Sequence, residues 1–271
     1  MNDNTLDCMR YAGMVNIQAI EYGFEIAEPG MTLRQIDEAI ENVIRGRGCK
    51  PAFKNYQPDG YESPFPAAAC ISPNDVVVHG IPDDYVLRDG DLITIDVGTE
   101  YQGAFVDSAR SRVICGHWPA KHNLDSLHKE QKSLVLAAEA VLWAQLSVIK
   151  DQCDFLTMVM VAEETALEYN VTIMPQWGGH GIGLKVHTEP FIPSAIDRRQ
   201  SPIRQRIEEK RYSRQKLTEG QTICVEPVVT FGTPDIMIGE DKWTVRQANG
   251  ELAAHTERCL LVTKDGYELL S

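Results

Sequence analysis

No CxxC pair and no zinc-ribbon spacing occurs among the seven cysteines, which are scattered at positions 8, 49, 70, 115, 153, 224 and 259. Their odd number and irregular spacing argue against a disulfide framework and for reduced thiols in a reducing compartment. No apolar run approaches the roughly 18 residues of a membrane span. The opening MNDNTLDCMR lacks the charged-then-apolar pattern of a secretory signal. A cytoplasmic protein without membrane contact is expected. Basic residues are also in short supply: 26 Lys and Arg face 39 Asp and Glu, a net charge of -13. Free-standing nucleic-acid binders lean the other way, so sequence-specific nucleic-acid binding is not expected. An acidic balance serves solubility and equally suits a site that collects cations. HExxH, GxSxG, the P-loop and a strand-borne GxGxxG are all missing, which removes the common zincin, serine-hydrolase and nucleotide-binding readings.

What is present is an ordinary globular composition, 43% hydrophobic and 24% charged over 271 residues, with no low-complexity linker. Residues 6–27 read as a helix stopped at Pro29-Gly30. Thr32 and Gln35 have the spacing of a capping box, and Ile36, Ala39, Ile40, Val43 and Ile44 follow at helical period until Gly46 and Gly48. Short β-branched runs at 75–78, 92–95 and 112–114 read as strands. Helices return at about 122–149 and 154–169, and strands from 171 to the end. The order, helix pair then strands, twice over, predicts an α+β fold of two pseudo-symmetric halves, αα plus antiparallel sheet, with the active site between them. We take the chain as a single catalytic domain over 1–271, with halves at about 5–118 and 119–271. Residues 194–217 hold eight basic against three acidic residues, a local reversal that fits a solvated helix or loop, or a docking surface for RNA or another anionic partner.

The chemistry-bearing residues stand out against their surroundings. Asp96 ends the run Leu92-Ile93-Thr94-Ile95, and Asp107 lies in Ala104-Phe105-Val106-Asp107. A hairpin closed about Tyr101 and Gln102 makes them direct cross-strand partners, with Cβ atoms about 5 Å apart. Carboxylates that close repel unless cations lie between them. A solvent-facing hairpin with two ordinary aspartates would account for them equally. Glu226 borders Thr222-Ile223-Cys224-Val225, and Glu257 precedes Cys259-Leu260-Leu261-Val262. Glutamate in such strands is unusual unless paired or ligating. His79 follows an apolar strand, His180 lies in the glycine-rich 178–183, and His187 comes seven residues later. Singly, each is more often a packed or surface histidine. Together, four acids and an imidazole suit two adjacent divalent ions, which can share and activate a bridging water, and so point to hydrolysis.

At these residues the sequence resembles type I methionine aminopeptidases. The matching strings are NDVVVHGIPDD (74–84), LRDGDLITIDVG (87–98), GGHGIG (178–183), HTEP (187–190), CVEP (224–227) and HTERCLLVTKDG (255–266). The resemblance spans about residues 6 to 270 and implies the pita-bread fold. It implies that Asp96 chelates one metal and His180 the other, that Asp107 and Glu257 bridge them, and that Glu226 completes the second site and serves as general base. It also implies contacts from His79 to the substrate amide and from His187 to the scissile carbonyl. Tyr61, Phe65, Cys70 and Trp243 would line the methionine pocket. The cofactor implied is a pair of divalent ions: cobalt, manganese, iron or zinc. The substrate implied is the N-terminal methionine of nascent polypeptides; with such a substrate, the charge reversal at 194–217 points to a transient ribosome contact. An Xaa-Pro aminopeptidase or prolidase of the same fold, and a non-catalytic binding homologue, are the alternatives. Departures from the family pattern are Val186, where an aromatic residue usually precedes the second histidine, Gly98 where Thr is common, Val106 where Gly is common, and the long segment from His187 to Glu226.

Overall fold

The structure is a computed structural model that describes residues 3–115 and 128–271. The chain opens with α1 (Asp3–Ile26) and α2 (Leu33–Gly46), followed by β1 (Lys50–Pro51), β2 (Ala69–Pro73), β3 (Val76–Val78), β4 (Leu92–Tyr101) and β5 (Ala104–Val113). A second helix pair, α3 (Lys129–Ser147) and α4 (Phe155–Glu168), leads into β6 (Thr172–Ile173), β7 (Gly178–Gly181) and β8 (Thr188–Pro193). After α5 (Pro202–Tyr212) come β9 (Thr222–Val225), β10 (Val228–Thr230), β11 (Ile236–Ile238), β12 (Val245–Gln247), β13 (Ala253–His255), β14 (Arg258–Val262) and β15 (Tyr267–Leu269). The expected order of helix pair and antiparallel sheet, repeated, is therefore present. The helix read at 122–149 is found from Lys129, and its first residues, 122–127, lie outside the described part.

Local chemistry explains the elements. Thr32 caps α2: its hydroxyl accepts from the Gln35 N–H while the Gln35 side chain accepts from the Thr32 N–H. Ile36, Ile40 and Ile44 then fall on one face, fully buried against β2 and β4. Each contributes about 1.5–3 kcal/mol by leaving water. In the second half, Phe155, Met158 and Val159 of α4 pack with Leu142 and Leu146 of α3 over Ile223, Val225 and Leu260 of the sheet β15-β14-β9-β7-β8.

One register expectation is corrected. The β4–β5 hairpin turns on Gln102 and Gly103, both at positive φ (51° and 81°), the conformation that matches strand twist in a two-residue hairpin. Tyr101 therefore pairs with Ala104, Asp96 faces Ala109, and Asp107 faces Gly98. Asp96 and Asp107 are diagonal neighbours on one face, not direct partners. Centring the turn one residue too early ignored the glycine that permits it.

The halves meet along β5. The Glu257 N–H donates to the Ala109 carbonyl at 2.9 Å, and the Phe105 N–H to that of Gly183 at 2.7 Å. The Ser111 hydroxyl donates to the His255 carbonyl at 2.7 Å. This seam brings the Asp107 strand alongside Glu257.

Candidate metal centre and active site

Each acid reaches the site from a strand or its end. Asp96 lies in β4 and Asp107 in β5. Glu226 directly follows β9, and Glu257 lies between β13 and β14. His180 comes from β7, which lies so close to β9 that a Cβ on Gly179 would stand 1.9 Å from the Cys224 carbonyl oxygen. The glycine-rich string is thus required by strand contact, and it delivers the imidazole beside the carboxylates.

Carboxylate oxygens of Asp96, Asp107 and Glu257 lie within 4.8 Å of one another, and Asp107 stands equally near His180 and His187. His180 Nε2 is 3.7 Å from Glu257 Oε1, while its Nδ1 faces the Gly181 carbonyl at 3.0 Å. A proton on Nδ1 leaves Nε2 as a lone-pair donor, the usual arrangement of a ligating histidine. Glu226 is outside these tightest groups but lines the same cavity, its carboxylate 3.9 Å from His255 Nε2.

The electrostatics of the cluster are set by burial and mutual repulsion. Burial, then the charge of Glu257 and the other acids, raises the Asp107 carboxyl. Burial raises Asp96, burial and Asp96 raise Glu226, and burial and Glu226 raise Glu257. Among the described residues, the buried side-chain polar atoms without a hydrogen-bond partner include Asp96 Oδ1, Asp107 Oδ1 and Glu257 Oε1. Orphaned carboxylate oxygens cost too much to persist unless something binds them. Oxygen-rich donors with one imidazole fit divalent metals of the harder kind.

The cavity around these groups has a volume of about 370 Å³, within the ordinary range for small-ligand sites. Its apolar end holds Phe65, Cys70 and Trp243, all buried. Tyr61 stacks on Trp243 with ring centroids 4.2 Å apart, Phe65 meets it edge-on, and Trp243 Nε1 donates to the Ser63 carbonyl at 3.1 Å. Val186 packs into the same cluster behind these residues. His79, held at φ 56°, presents its ring edge-on to Trp177 and Trp243. Burial lowers His79 to about 4. His187 stands at the open rim, where the cavity wall, then His180 and His79, still lower its basicity.

Sequence reading overlooked several residues here. Tyr56 bonds His187 Nδ1 through its hydroxyl at 2.9 Å. Trp177 and Phe191 wall the mouth of the cavity. His255 is fully buried behind Glu226, its basicity lowered by burial and then by His79. Only His255 carried a signal: it ends an apolar strand two residues before Glu257.

The sequence matches metallopeptidase family M24 over residues 7–264. A methionine aminopeptidase of Mycoplasma capricolum is 33% identical over 100% of this chain and 96% of its own length. The crystal structure of methionine aminopeptidase from Thermotoga maritima superposes with a TM-score of 0.83 at 26% identity, covering 100% of this chain and 97% of that one. A prolidase from Pyrococcus furiosus, at 18% identity and a TM-score of 0.67 over 99% of this chain and 64% of its own, shares the fold alone.

Proposed function

Because the chain belongs to metallopeptidase family M24, a family of divalent-metal enzymes, we propose that it is a pita-bread methionine aminopeptidase that removes the N-terminal methionine from nascent polypeptides in the cytoplasm. The observation that carries this reading is the convergence of Asp96, Asp107, His180, Glu226 and Glu257 on one cavity that also has an apolar end. The whole chain acts as one catalytic unit, with 194–217 inserted in its second half.

In this reading two divalent ions are held, their identity being cobalt, manganese, iron or zinc. Asp96 and His180 would each hold one ion, Asp107 and Glu257 would serve both, and Glu226 would complete the second site. When bound, such a pair supplies Lewis acidity and lowers the pKa of water. The chain's own groups do the rest. Glu226, already disposed to hold a proton by burial and by Asp96, takes the proton of the attacking water and passes it on. His79 and His187 are neutral near pH 7, so each can donate one hydrogen bond without carrying charge into the cleft. A Tyr56 hydroxyl donating to His187 Nδ1 keeps the ring proton on Nε2, from which it stabilises the oxyanion forming at the scissile carbonyl. His79 contacts the substrate amide. Phe65, Cys70, Trp243 and Tyr61 receive the methionine side chain, whose thioether suits aromatic and sulfur-lined walls.

The basic stretch supports a transient contact with the ribosome. Arg198 is taken up by Glu163 and Glu209, and Arg199 by Asp197 and Asp235. Arg204, Arg206, Lys210 and Arg211 of α5, with Arg214 beyond it, remain exposed.

The test is hydrolysis of Met-Ala-Ser against an Xaa-Pro peptide after metal reconstitution. Release of methionine from Met-Ala-Ser is expected; cleavage of the Xaa-Pro peptide alone would replace this reading with the proline-specific one.

A further inference from the structure

A second group of ligating side chains lies outside the catalytic cavity, where the first half hands over to the second. Asp89 is in the turn before β4, Cys115 follows the end of β5, and His128 immediately precedes α3. These chain segments bring one carboxylate oxygen, one thiol sulfur and one ring nitrogen within 4.8 Å of one another. His128 Nε2 and Asp89 Oδ2 are 3.1 Å apart, close to the edge of about 3.3 Å between N and O ligands of a tetrahedral zinc. The ring is committed to this place. His128 sits at the start of α3 in a left-handed conformation (φ 56°, ψ 38°) and makes no side-chain cap to the helix. Opposite it is Gly90, where a Cβ would stand 2.5 Å from the ring. Cys115 is exposed, whereas the other six cysteines are buried in the core, so its sulfur is the one a solvent ion can reach.

We propose that Asp89, Cys115 and His128 form a zinc site that ties the start of α3 to the ends of β4 and β5. One thiolate, one imidazole and one carboxylate are a zinc donor set, softer than the carboxylate-rich catalytic centre. Three protein ligands leave the fourth corner to water. On binding, the Cys115 thiol gives its proton to solvent and the imidazole binds neutral, so that thiolate and carboxylate together balance the ion's charge. Because its ligands come from both sides of the handover, the ion adds to the stability of the folded chain by mass action.

The sulfur ligand supplies a signature that the oxygen and nitrogen donors of the catalytic centre lack. Cobalt(II), added to the full chain in place of zinc, should give a thiolate-to-metal charge-transfer band in the near ultraviolet. The band should persist in Asp107→Ala, vanish in Cys115→Ser, and require higher cobalt in His128→Asn. Zinc should raise the Tm of Asp107→Ala but not that of the Asp107→Ala, Cys115→Ser double variant, and Cys115→Ser should keep its peptidase activity. No thiolate band, or a band that survives Cys115→Ser and so comes from buried Cys224, overturns the proposal.

Discussion

Asp107 faces buried Asp96 and Glu257 and half-buried Glu226, with one of its oxygens unbonded. Substituting Asn keeps the shape and removes the charge. In metal-free protein Asp107→Asn should therefore unfold at higher temperature than the parent, while metal-dependent peptidase activity falls by about 100-fold or more, equivalent to about 2.7 kcal/mol of transition-state stabilisation. Calorimetry in EDTA and a peptide assay check the two signs separately. The same repulsion sets a pH dependence. Asp96, Asp107, Glu226 and Glu257 all hold protons more tightly than ordinary carboxylates. A carboxyl more basic in the folded than in the unfolded chain contributes its full stabilisation below about pH 4, and that contribution is withdrawn as pH rises through the raised folded value. The lowered histidines His79, His180, His187 and His255 work the opposite way below neutrality, so the acid is read by difference: the Tm of the metal-free parent should fall relative to that of Asp107→Asn from about pH 4 towards neutrality, and manganese should change that gap. An identical pH course for the two proteins would contradict the burial of Asp107. These acids stood out in sequence because each borders or breaks an apolar run, and His180 because glycines surround it. Tyr56 did not, because its partner lies 131 residues away and nothing local marks a tyrosine as the support of a histidine.

Elements position those residues through a few close approaches. Gly179→Ala would push β7 away from β9, since the added carbon meets the Cys224 carbonyl. Overpacking of this kind costs about 1–3 kcal/mol, and the displaced strand carries His180, so metal affinity should fall along with Tm. Calorimetry and metal titration of the variant check this; an unchanged affinity would mean that the strand contact does not position the ligand. Asp37 of α2 does a comparable job at the apolar end. It accepts from the N–H groups of Ala68 and Ala69 at 3.0 and 2.8 Å, fixing the start of the strand that carries Cys70. Asp37→Ala should cost about 1–3 kcal/mol through the orphaned donors, read as a lower urea midpoint. At this scale the sequence spoke clearly for helices, whose caps and 3.6-residue period are local. It was misread at the β4–β5 hairpin, where one residue of register depended on the backbone conformation of Gln102 and Gly103.

Across the whole molecule, the repeat of helix pair and sheet was visible as an order of elements, but the seam was not. Hydrogen bonds such as Glu257 to Ala109 and Ser111 to His255 span more than half the chain and leave no mark in local composition. Charge distribution, by contrast, could be read directly. The molecule carries -13, and the exposed arginines of α5 run against that field. Reversing Arg204, Arg206, Arg211 and Arg214 to Glu should weaken ribosome association and reduce its salt dependence, with peptide hydrolysis unchanged; co-sedimentation at two salt concentrations reads the effect, and unaltered binding would remove α5 from the interface. In the proposed function, five side chains from distant parts of the chain would jointly hold divalent ions. A crystal grown in millimolar manganese and read by anomalous scattering tests this most directly. Anomalous density enclosed by Asp96, Asp107, His180, Glu226 and Glu257 is expected, and a featureless anomalous map at that place would rule out a metal centre there.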